Sequence, residues 1–319
     1  MRILSETFPA RHDRAVMLCC DDRFFPFALF VARQIALLPK SQGFDICIVT
    51  LDDLEMPAAF ADLGIRLCRV DTEGIFAEQD IAGRRGEYCY LRLILPPLFQ
   101  GDYRRITYMD CDMLAESGDY ARLMEIDLKG HPVAAVRDQK QWRKLNGLMR
   151  EFRVMGWAPA PYFNSGFLVI DTQSYVEADV LRRCVDFGAE NGARLHAHDQ
   201  SVLNCVLYKD WAELSPVWNW QWPLRRPYLE QSVGPHVVHF ISDQKPWSDR
   251  KGALPARYHK IYRDFMEAYF PERAGFDVAE PRYLSDPVKA ALLHLKHIAT
   301  NWQLRPYLNR FPDPYHVVT

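Results

Sequence analysis

Strand-like and helix-like segments alternate through the first half of the chain, and that alternation restricts the fold more than any other feature. Ala15–Cys20 is a short apolar run that ends at Asp21-Asp22, and Phe24–Leu38 has helical spacing closed by Pro39. Asp45–Thr50 and Ile65–Val70 read as strands with a helix, Met56–Leu63, between them. Tyr88–Leu95 reads as a helix stopped by Pro96-Pro97, and Arg105–Met109 as the next strand. Such alternation predicts an α/β fold built on a parallel sheet with both faces covered. In sheets of that kind ligands gather at the carboxyl ends of the strands, which is where Asp21-Asp22 and Asp110-Cys111-Asp112 fall.

The second half is less regular. Pro132–Val136 reads as a strand, Gln139–Gly156 as a basic, loop-rich stretch, and Tyr162–Asp171 as a segment containing a strand at Phe167–Ile170. A helix is expected to follow through Phe187, a second over Asp199–Leu207, and a last strand of the main body at Pro235–Phe240. From Ala253 the chain turns rich in aromatics and prolines, with a helical stretch at Pro287–Leu304, which divides it into a body, residues 1–252, and a tail, residues 253–319. A chain of 319 residues is long enough for one large α/β domain with a substantial core.

Composition excludes several classes of function. A net charge of −2 and a pI near 6.6 do not suit a nucleic-acid binder, so no nucleic-acid partner is expected. The eight cysteines fall at irregular spacing with no Cys-x-x-Cys pair, which argues against a zinc ribbon or a disulfide framework and for reduced thiols in a cytoplasmic protein. Met1 to Arg14 holds no apolar core of a secretory signal, and no apolar run is long enough to span a membrane.

Arg105–Asp112 carries the most chemistry. A hydrophobic strand ends on two carboxylates one residue apart, and two acids held where a strand frays into a loop can share one hard divalent cation. Mg²⁺ or Mn²⁺ prefers such oxygen ligands and usually leaves room for substrate phosphate oxygens. The alternative reading of Asp-x-Asp alone is a polar loop after a strand.

Three further segments follow in order: Tyr162-Phe163-Asn164-Ser165-Gly166, then His198-Asp199-Gln200-Ser201-Val202-Leu203-Asn204, then His239-Phe240-Ile241-Ser242-Asp243-Gln244-Lys245-Pro246-Trp247. Together with Asp110-Cys111-Asp112, this ordered set resembles glycosyltransferase family 8. That family comprises retaining nucleotide-sugar transferases, among them glycogenin and bacterial lipopolysaccharide galactosyltransferases and glucosyltransferases. The resemblance covers roughly Ala15 to Trp247.

It implies a GT-A fold, a Rossmann-like nucleotide-binding mixed sheet flanked by helices, with a helical C-terminal tail outside it. It also implies a hexosyltransferase that uses Mn²⁺ or Mg²⁺ and a UDP-sugar donor. On matching positions, Asp110, Asp112 and His239 are the implied metal ligands. Lys245 is the implied partner of the donor diphosphate, a compact point charge. Arg92 matches an arginine near the donor sugar and phosphates, whose planar fork suits a phosphate; an exposed helix arginine is the alternative. Asp21 and Phe24 match positions that meet the uracil ring, and Cys19 and Cys111 fall among the donor-binding positions. Asn164, Ser165, Asp199 and Gln200 match residues lining the donor sugar and reaction centre, with Asp199 and Gln200 as the implied catalytic pair. A turn before a strand and a helix N-cap are the plainer readings of Asn164-Ser165-Gly166 and Asp199.

The chain departs from the family pattern at Arg23, Ser201 and Ser242, where the family shows a small residue, an acid and a glycine. Two other readings therefore stand beside the transferase: a UDP-sugar-binding or interaction protein on the same fold, and a metal-dependent nucleotide-sugar hydrolase. The acceptor is expected to be a glycan or a lipid-linked glycan of lipopolysaccharide type. Trp211, Trp218, Trp220, Trp222 and Tyr228 are either sugar-stacking groups or core packing. In the tail, Val288, Leu292, Leu295, Ala299 and Trp302 recur at helical spacing as one apolar stripe, with Lys289, Lys296 and Arg305 near it. That stripe is read either as the docked face of a terminal helix or as a peripheral contact with an anionic inner membrane leaflet.

Overall fold

The computed structural model of the protein describes residues 1–39, 42–77, 84–222, 227–281 and 286–319. Its strands are β1 (Arg2–Glu6), β2 (Arg14–Cys19), β3 (Asp45–Thr50), β4 (Ile65–Asp71), β5 (Arg105–Met109), β6 (Met113–Ala115), β7 (Val133–Arg137), β8 (Phe163–Asp171), β9 (Ala212–Leu214), β10 (Trp220–Trp222), β11 (Val237–Phe240) and β12 (Val317–Val318). Nine of them form one sheet in the order β1-β4-β3-β2-β5-β8-β7-β9-β12, and β10-β11-β6 form a second.

The expected parallel sheet holds within β4-β3-β2-β5, where each strand pairs parallel with the next, while β1 pairs antiparallel with β4 at the edge. Beyond β5 it fails, because β8 runs antiparallel to both β5 and β7. The sheet is mixed, as the family resemblance implies. This reversal brings the start of β8, rather than its end, to the carboxyl end of β5.

Side chains alternate along each strand between two apolar layers, as a sheet covered on both faces requires. Val16, Leu18, Ile46 and Ile48 enter one layer, with the helix Phe25–Ala36 and the small sheet. Ala15, Met17, Cys47 and Val49 enter the other, with the helices Arg84–Leu98, Val180–Asn191 and His198–Val206. Trp211, Trp218, Trp220 and Trp222 are all buried in these layers, so they are core groups. The side chain of Tyr228 lies outside the described part.

Several elements differ from the expected ones for identifiable reasons. Pro96 and Pro97 do not stop the second long helix; they lie within its last turn, and the helix runs on to Leu98. The segment before β4 is a 3₁₀ helix over Ala58–Leu63. The helix after β8 breaks into Thr172–Glu177 and Val180–Asn191 at Asp179, whose φ of 50° lies in the left-handed region. Asn164-Ser165-Gly166 is not a turn but part of β8.

The tail shares the core of the body. In the helix Ala256–Tyr269, Tyr258 and Tyr262 are fully buried, and Tyr262 donates to the Met113 carbonyl at 2.7 Å. Tyr307 stacks on Trp142 with ring centres 5.3 Å apart, and β12 pairs with β9.

The helix Pro287–Asn301 is turned the other way from its expected docking. Val288, Leu292, Leu295, Ile298 and Trp302 are each 60–68% exposed, while His297 is 5% exposed and Ala290, His294 and Asn301 are half-buried beside it. The apolar stripe therefore faces outward. Among the described residues no helix is long and apolar enough to cross a membrane.

Candidate active site

The site forms where the carboxyl ends of β2 and β5 lie side by side, with Leu18 paired to Met109. The chain leaves β2 through Cys19, Cys20 and Asp21 and leaves β5 through Asp110, Cys111 and Asp112. The Cys111 thiol donates to the Cys19 carbonyl at 3.3 Å across this gap. Because β8 is antiparallel to β5, its opening residues lie beside Asp110, and the Asp110 N–H donates to the Gly166 carbonyl at 2.8 Å. The acids then run into β6, whose Met113 pairs with His239 of β11. Three sequence-distant segments thus meet at one strand end.

Asp110, Asp112 and His239 each direct one ligand atom into a cluster whose members all lie within 4.8 Å of one another. His239 Nε2 is 3.2 Å from Asp112 Oδ1 and 3.6 Å from Asp110 Oδ2. Asp112 Oδ1 is buried and has no hydrogen-bond partner among the described residues. A buried oxygen left in this way costs free energy that a bound cation removes. One imidazole beside two carboxylates suits Mn²⁺ or Mg²⁺, so the donor set fits the implied metal. Gly166 makes the approach possible: a Cβ there would lie 2.4 Å from His239 Cε1 and 2.5 Å from Asp110 Oδ2.

Lys245 reaches Asp112 as well, with Nζ 2.5 Å from its Oδ2 and a further donation to the Phe240 carbonyl. Burial alone would raise the Asp112 carboxyl, but the charge of Lys245 and its hydrogen bond overcome it and hold the group far below the usual carboxylate range.

Arg92 is not an exposed helix arginine. It is 7% exposed and commits its guanidinium to the site itself. Nη2 lies 3.0 Å from Asp110 Oδ1, Nε 3.1 Å from Asp199 Oδ2, and Nη1 donates to the Ser165 carbonyl at 2.8 Å. Tyr108 adds a donation to Asp110 Oδ1 at 2.6 Å. Asp199 sits in the first turn of its helix rather than at the N-cap and accepts from the Ser165 hydroxyl at 3.1 Å. Burial lifts its carboxyl above the ordinary value, against the pull of Arg92. Gln200 Oε1 accepts from Asn164 Nδ2 at 3.0 Å and from the Ser165 N–H at 3.1 Å.

A cleft of about 580 Å³ opens over these groups, lined by Cys19, Asp21, Phe24, Arg92, Asp110, Cys111 and Asp112 among others. Asp21 is fixed by accepting the Phe24 N–H at 2.8 Å, which holds the Phe24 ring at the cleft's edge. Every residue singled out in the sequence for the donor, metal and reaction centre lies in the cleft or in the hydrogen-bond network beneath it.

The departures from the family pattern are accommodated differently. Ser201 is fully buried and donates to Glu151 Oε1 at 3.1 Å, so a carboxylate reaches that spot from the helix Arg150–Val154. Ser242 closes a tight turn with Gln244, and Arg23 is exposed. Sequence reasoning missed Tyr108, Asp138, Glu151 and Asn219. Asp138 follows the end of β7, so the strand-end argument that found Asp110 could have found it. Asn219 lies between two core tryptophans and carries no local signal.

The family model for glycosyl transferase family 8 matches residues 15–251. Among curated relatives, General stress protein A of Bacillus subtilis (strain 168) is 33% identical over 174 residues, covering 50% of this chain and 58% of that protein. Glycosyltransferase GlyF of Streptococcus pneumoniae serotype 4 is 27% identical over 206 residues, covering 63% and 47%. Lipopolysaccharide glucosyltransferase WaaO of Escherichia coli (strain K12) is 27% identical over 189 residues, covering 56% and 53%. The chain thus spans about half the length of the curated relatives it matches.

Among solved structures, the galactosyltransferase LgtC, in complex with donor and acceptor sugar analogs, superposes with a TM-score of 0.62 at 16% identity, over 85% of this chain and 99% of that one. The bifunctional glycosyltransferase WbbM does so with a TM-score of 0.61 at 18% identity, over 85% and 53%. These likenesses identify the mixed sheet and its flanking helices as a GT-A fold. With the family model matched over most of its length and the metal-type cluster at the expected strand end, the chain belongs to glycosyltransferase family 8.

Proposed function

We propose that the protein is a retaining hexosyltransferase that moves glucose or galactose from a UDP-sugar to a hydroxyl of a glycan or lipopolysaccharide-type acceptor. The observation that carries this reading is the convergence of Asp110, Asp112 and His239 around an unsatisfied buried oxygen at the edge of a nucleotide-sized cleft. These three residues would hold Mn²⁺ or Mg²⁺. When bound, the ion supplies Lewis-acid stabilisation of the departing diphosphate.

The chain's own groups do the rest. Lys245 adds a positive charge toward the diphosphate, and Asp21 and Phe24 hold the uracil at the far end of the cleft, with Cys19 and Cys111 forming its floor. Arg92 locks Asp110 and Asp199 to Ser165, so the metal side and the sugar side of the cleft are held in one geometry. Asn164, Ser165, Asp199 and Gln200 line the donor sugar and steady the positive charge that develops as UDP leaves. An acceptor hydroxyl then attacks on the face the leaving group vacates, its oxygen bonding to the anomeric carbon as the bond to UDP breaks and its proton passing to the departing diphosphate oxygen. Gln200 is a poor nucleophile, and its amide oxygen already accepts two hydrogen bonds, which favours front-face attack. In this reading residues 1–252 carry the donor chemistry and residues 253–319 serve the acceptor side.

The partner on that side is an anionic lipid surface at the cytoplasmic face of the inner membrane. The outward stripe of Val288, Leu292, Leu295, Ile298 and Trp302 supports it, as does a stretch from 287 to 312 that carries Lys289, Lys296 and Arg305 and no acidic residue.

Thermal unfolding and turnover with labelled UDP-hexoses test the central claim. UDP should raise the melting temperature when Mn²⁺ is present and not in EDTA, by mass action on the folded state. Asp110→Ala, Asp112→Ala and His239→Ala should each abolish that shift and transfer while leaving the fold intact. Equal UDP stabilisation in EDTA would overturn the metal-bridged reading. Binding without any turnover would make the protein a UDP-sugar binder, and release of free hexose whatever glycan is offered would make it a hydrolase.

A further inference from the structure

Five polar side chains behind the cleft form a hydrogen-bond chain that runs in one direction. His239 Nδ1 lies 3.0 Å from Asn219 Oδ1, and Asn219 Nδ2 donates to Asn164 Oδ1 at 2.8 Å. Asn164 Nδ2 donates to Gln200 Oε1 at 3.0 Å, and Gln200 Nε2 reaches Asp138 Oδ2 at 3.4 Å. Asn219 is fully buried, Asp138 is 4% exposed and Asn164 8%, so water does not compete for these groups.

The direction is fixed at two points by the backbone. The Gly166 N–H donates to Asn164 Oδ1 at 3.2 Å and the Ser165 N–H to Gln200 Oε1 at 3.1 Å. Each amide must therefore present its oxygen to that N–H and its nitrogen to the next acceptor. Asn219, donating to Asn164, is left with its oxygen facing His239. An oxygen there accepts only if His239 carries a proton on Nδ1, and in the neutral ring this leaves the Nε2 lone pair facing Asp110 and Asp112. At the far end Asp138 Oδ2 receives the last donation, while its Oδ1 accepts the Lys140 N–H at 2.9 Å.

We infer that Asn219 and Asp138 are positioning residues at the two ends of this chain. Asn219 sets the tautomer and ring orientation that make His239 a metal ligand, and Asp138 sets the amide orientation of Gln200. The inference rests on the reading of Asp110, Asp112 and His239 as the ligand set. It adds that the ligand histidine and the glutamine at the reaction centre are oriented by one shared network, in the manner of outer-shell partners of metal-bound histidines.

The experiment reads the metal-free protein first. Long-range ¹H–¹⁵N spectra of histidine-labelled protein above neutral pH, with His239→Gln used for assignment, should show His239 protonated on Nδ1. Mn²⁺ titrations followed by electron paramagnetic resonance, without nucleotide, should then show Asn219→Leu weaker by about 10–100-fold. Asn219→Asp keeps an acceptor for Nδ1 but cannot donate to Asn164, so it should hold Mn²⁺ close to wild type and lose kcat. Asp138→Ala should leave Mn²⁺ affinity unchanged and lower kcat without raising KM for the donor.

An Nε2-protonated His239 in the wild type would overturn the proposal, as would unchanged Mn²⁺ affinity in Asn219→Leu. If Asn219→Leu does not fold, the wild-type tautomer and the Asn219→Asp split still decide. A wild type with the expected tautomer and Mn²⁺ binding but no sugar transfer would sink the enzyme reading and leave the positioning roles standing.

Discussion

Burial by itself would push Asp112 toward its neutral form, and the charge of Lys245 reverses that tendency. The carboxylate is thus depressed in the folded state. It contributes stability that is present above its ordinary value of about 3.9 and lost as pH falls through the lower folded value. Removing Lys245 leaves a buried carboxylate short of its nearest cation. Lys245→Ala should therefore destabilise the EDTA-treated protein by about 2 kcal/mol at pH 7, and the difference should shrink as pH falls from about 4 toward about 2. Melting temperatures of both forms across that range check it, and a constant difference would mean that Lys245 acts by packing. At this scale the sequence was readable where chemistry is local: two acids at a strand end announce themselves. His239 and Lys245 were found through an ordered motif, since nothing local distinguishes a strand-end histidine that binds metal from one that does not. Asn219 was not readable, because its role depends on Asn164 and His239, which meet it only in the folded chain.

At the scale of elements, many of the expected segments end within one or two residues of the observed ones, as with Asp45–Thr50 and Arg105–Met109, but β1 and the helix Ala256–Tyr269 are not among them. Strands of two or three residues such as β6, β9, β10 and β12 hold too few positions to show a period. The Pro96-Pro97 pair shows how tertiary contacts override a local rule. Proline lacks an N–H, so two in succession deprive the Leu93 carbonyl of both its i+3 and i+4 donors. The helix nevertheless continues, because the buried Tyr175 hydroxyl donates to that carbonyl at 3.1 Å. Tyr175→Phe should cost about 1–2 kcal/mol, seen as a lower denaturation midpoint with an unchanged m-value, while UDP and Mn²⁺ affinities stay at wild type. A neutral result would mean that another donor reaches Leu93.

The whole molecule joins its tail to its body unevenly. Tyr258, Tyr262, Leu304 and Tyr307 are buried in the core that also holds the helix Phe25–Ala36, so both flanks of the helix Pro287–Asn301 are fixed in place. The helix between them turns its histidines and Asn301 inward and its large apolar side chains outward. An arrangement inverted in this way leaves apolar area in water that a soluble monomer would normally cover. Lys289, Lys296 and Arg305 lie in a stretch of sequence without an acid, from 287 to 312, which suits an anionic lipid surface, and a tryptophan at the end of such a helix suits the headgroup boundary. Removing the whole tail would also remove buried core residues, so substitutions on the outer face test this better. Full-length protein should sediment with phosphatidylglycerol-containing vesicles and much less with phosphatidylcholine alone, and the binding should weaken as salt rises. Leu295→Glu with Ile298→Glu should abolish sedimentation while leaving the melting temperature and UDP binding unchanged, because neither side chain packs in the core. If the double variant sediments as well as the wild type, the face is not the contact. If the wild type is instead a dimer by light scattering that the double variant makes monomeric, a second copy covers the stripe and the membrane assignment fails.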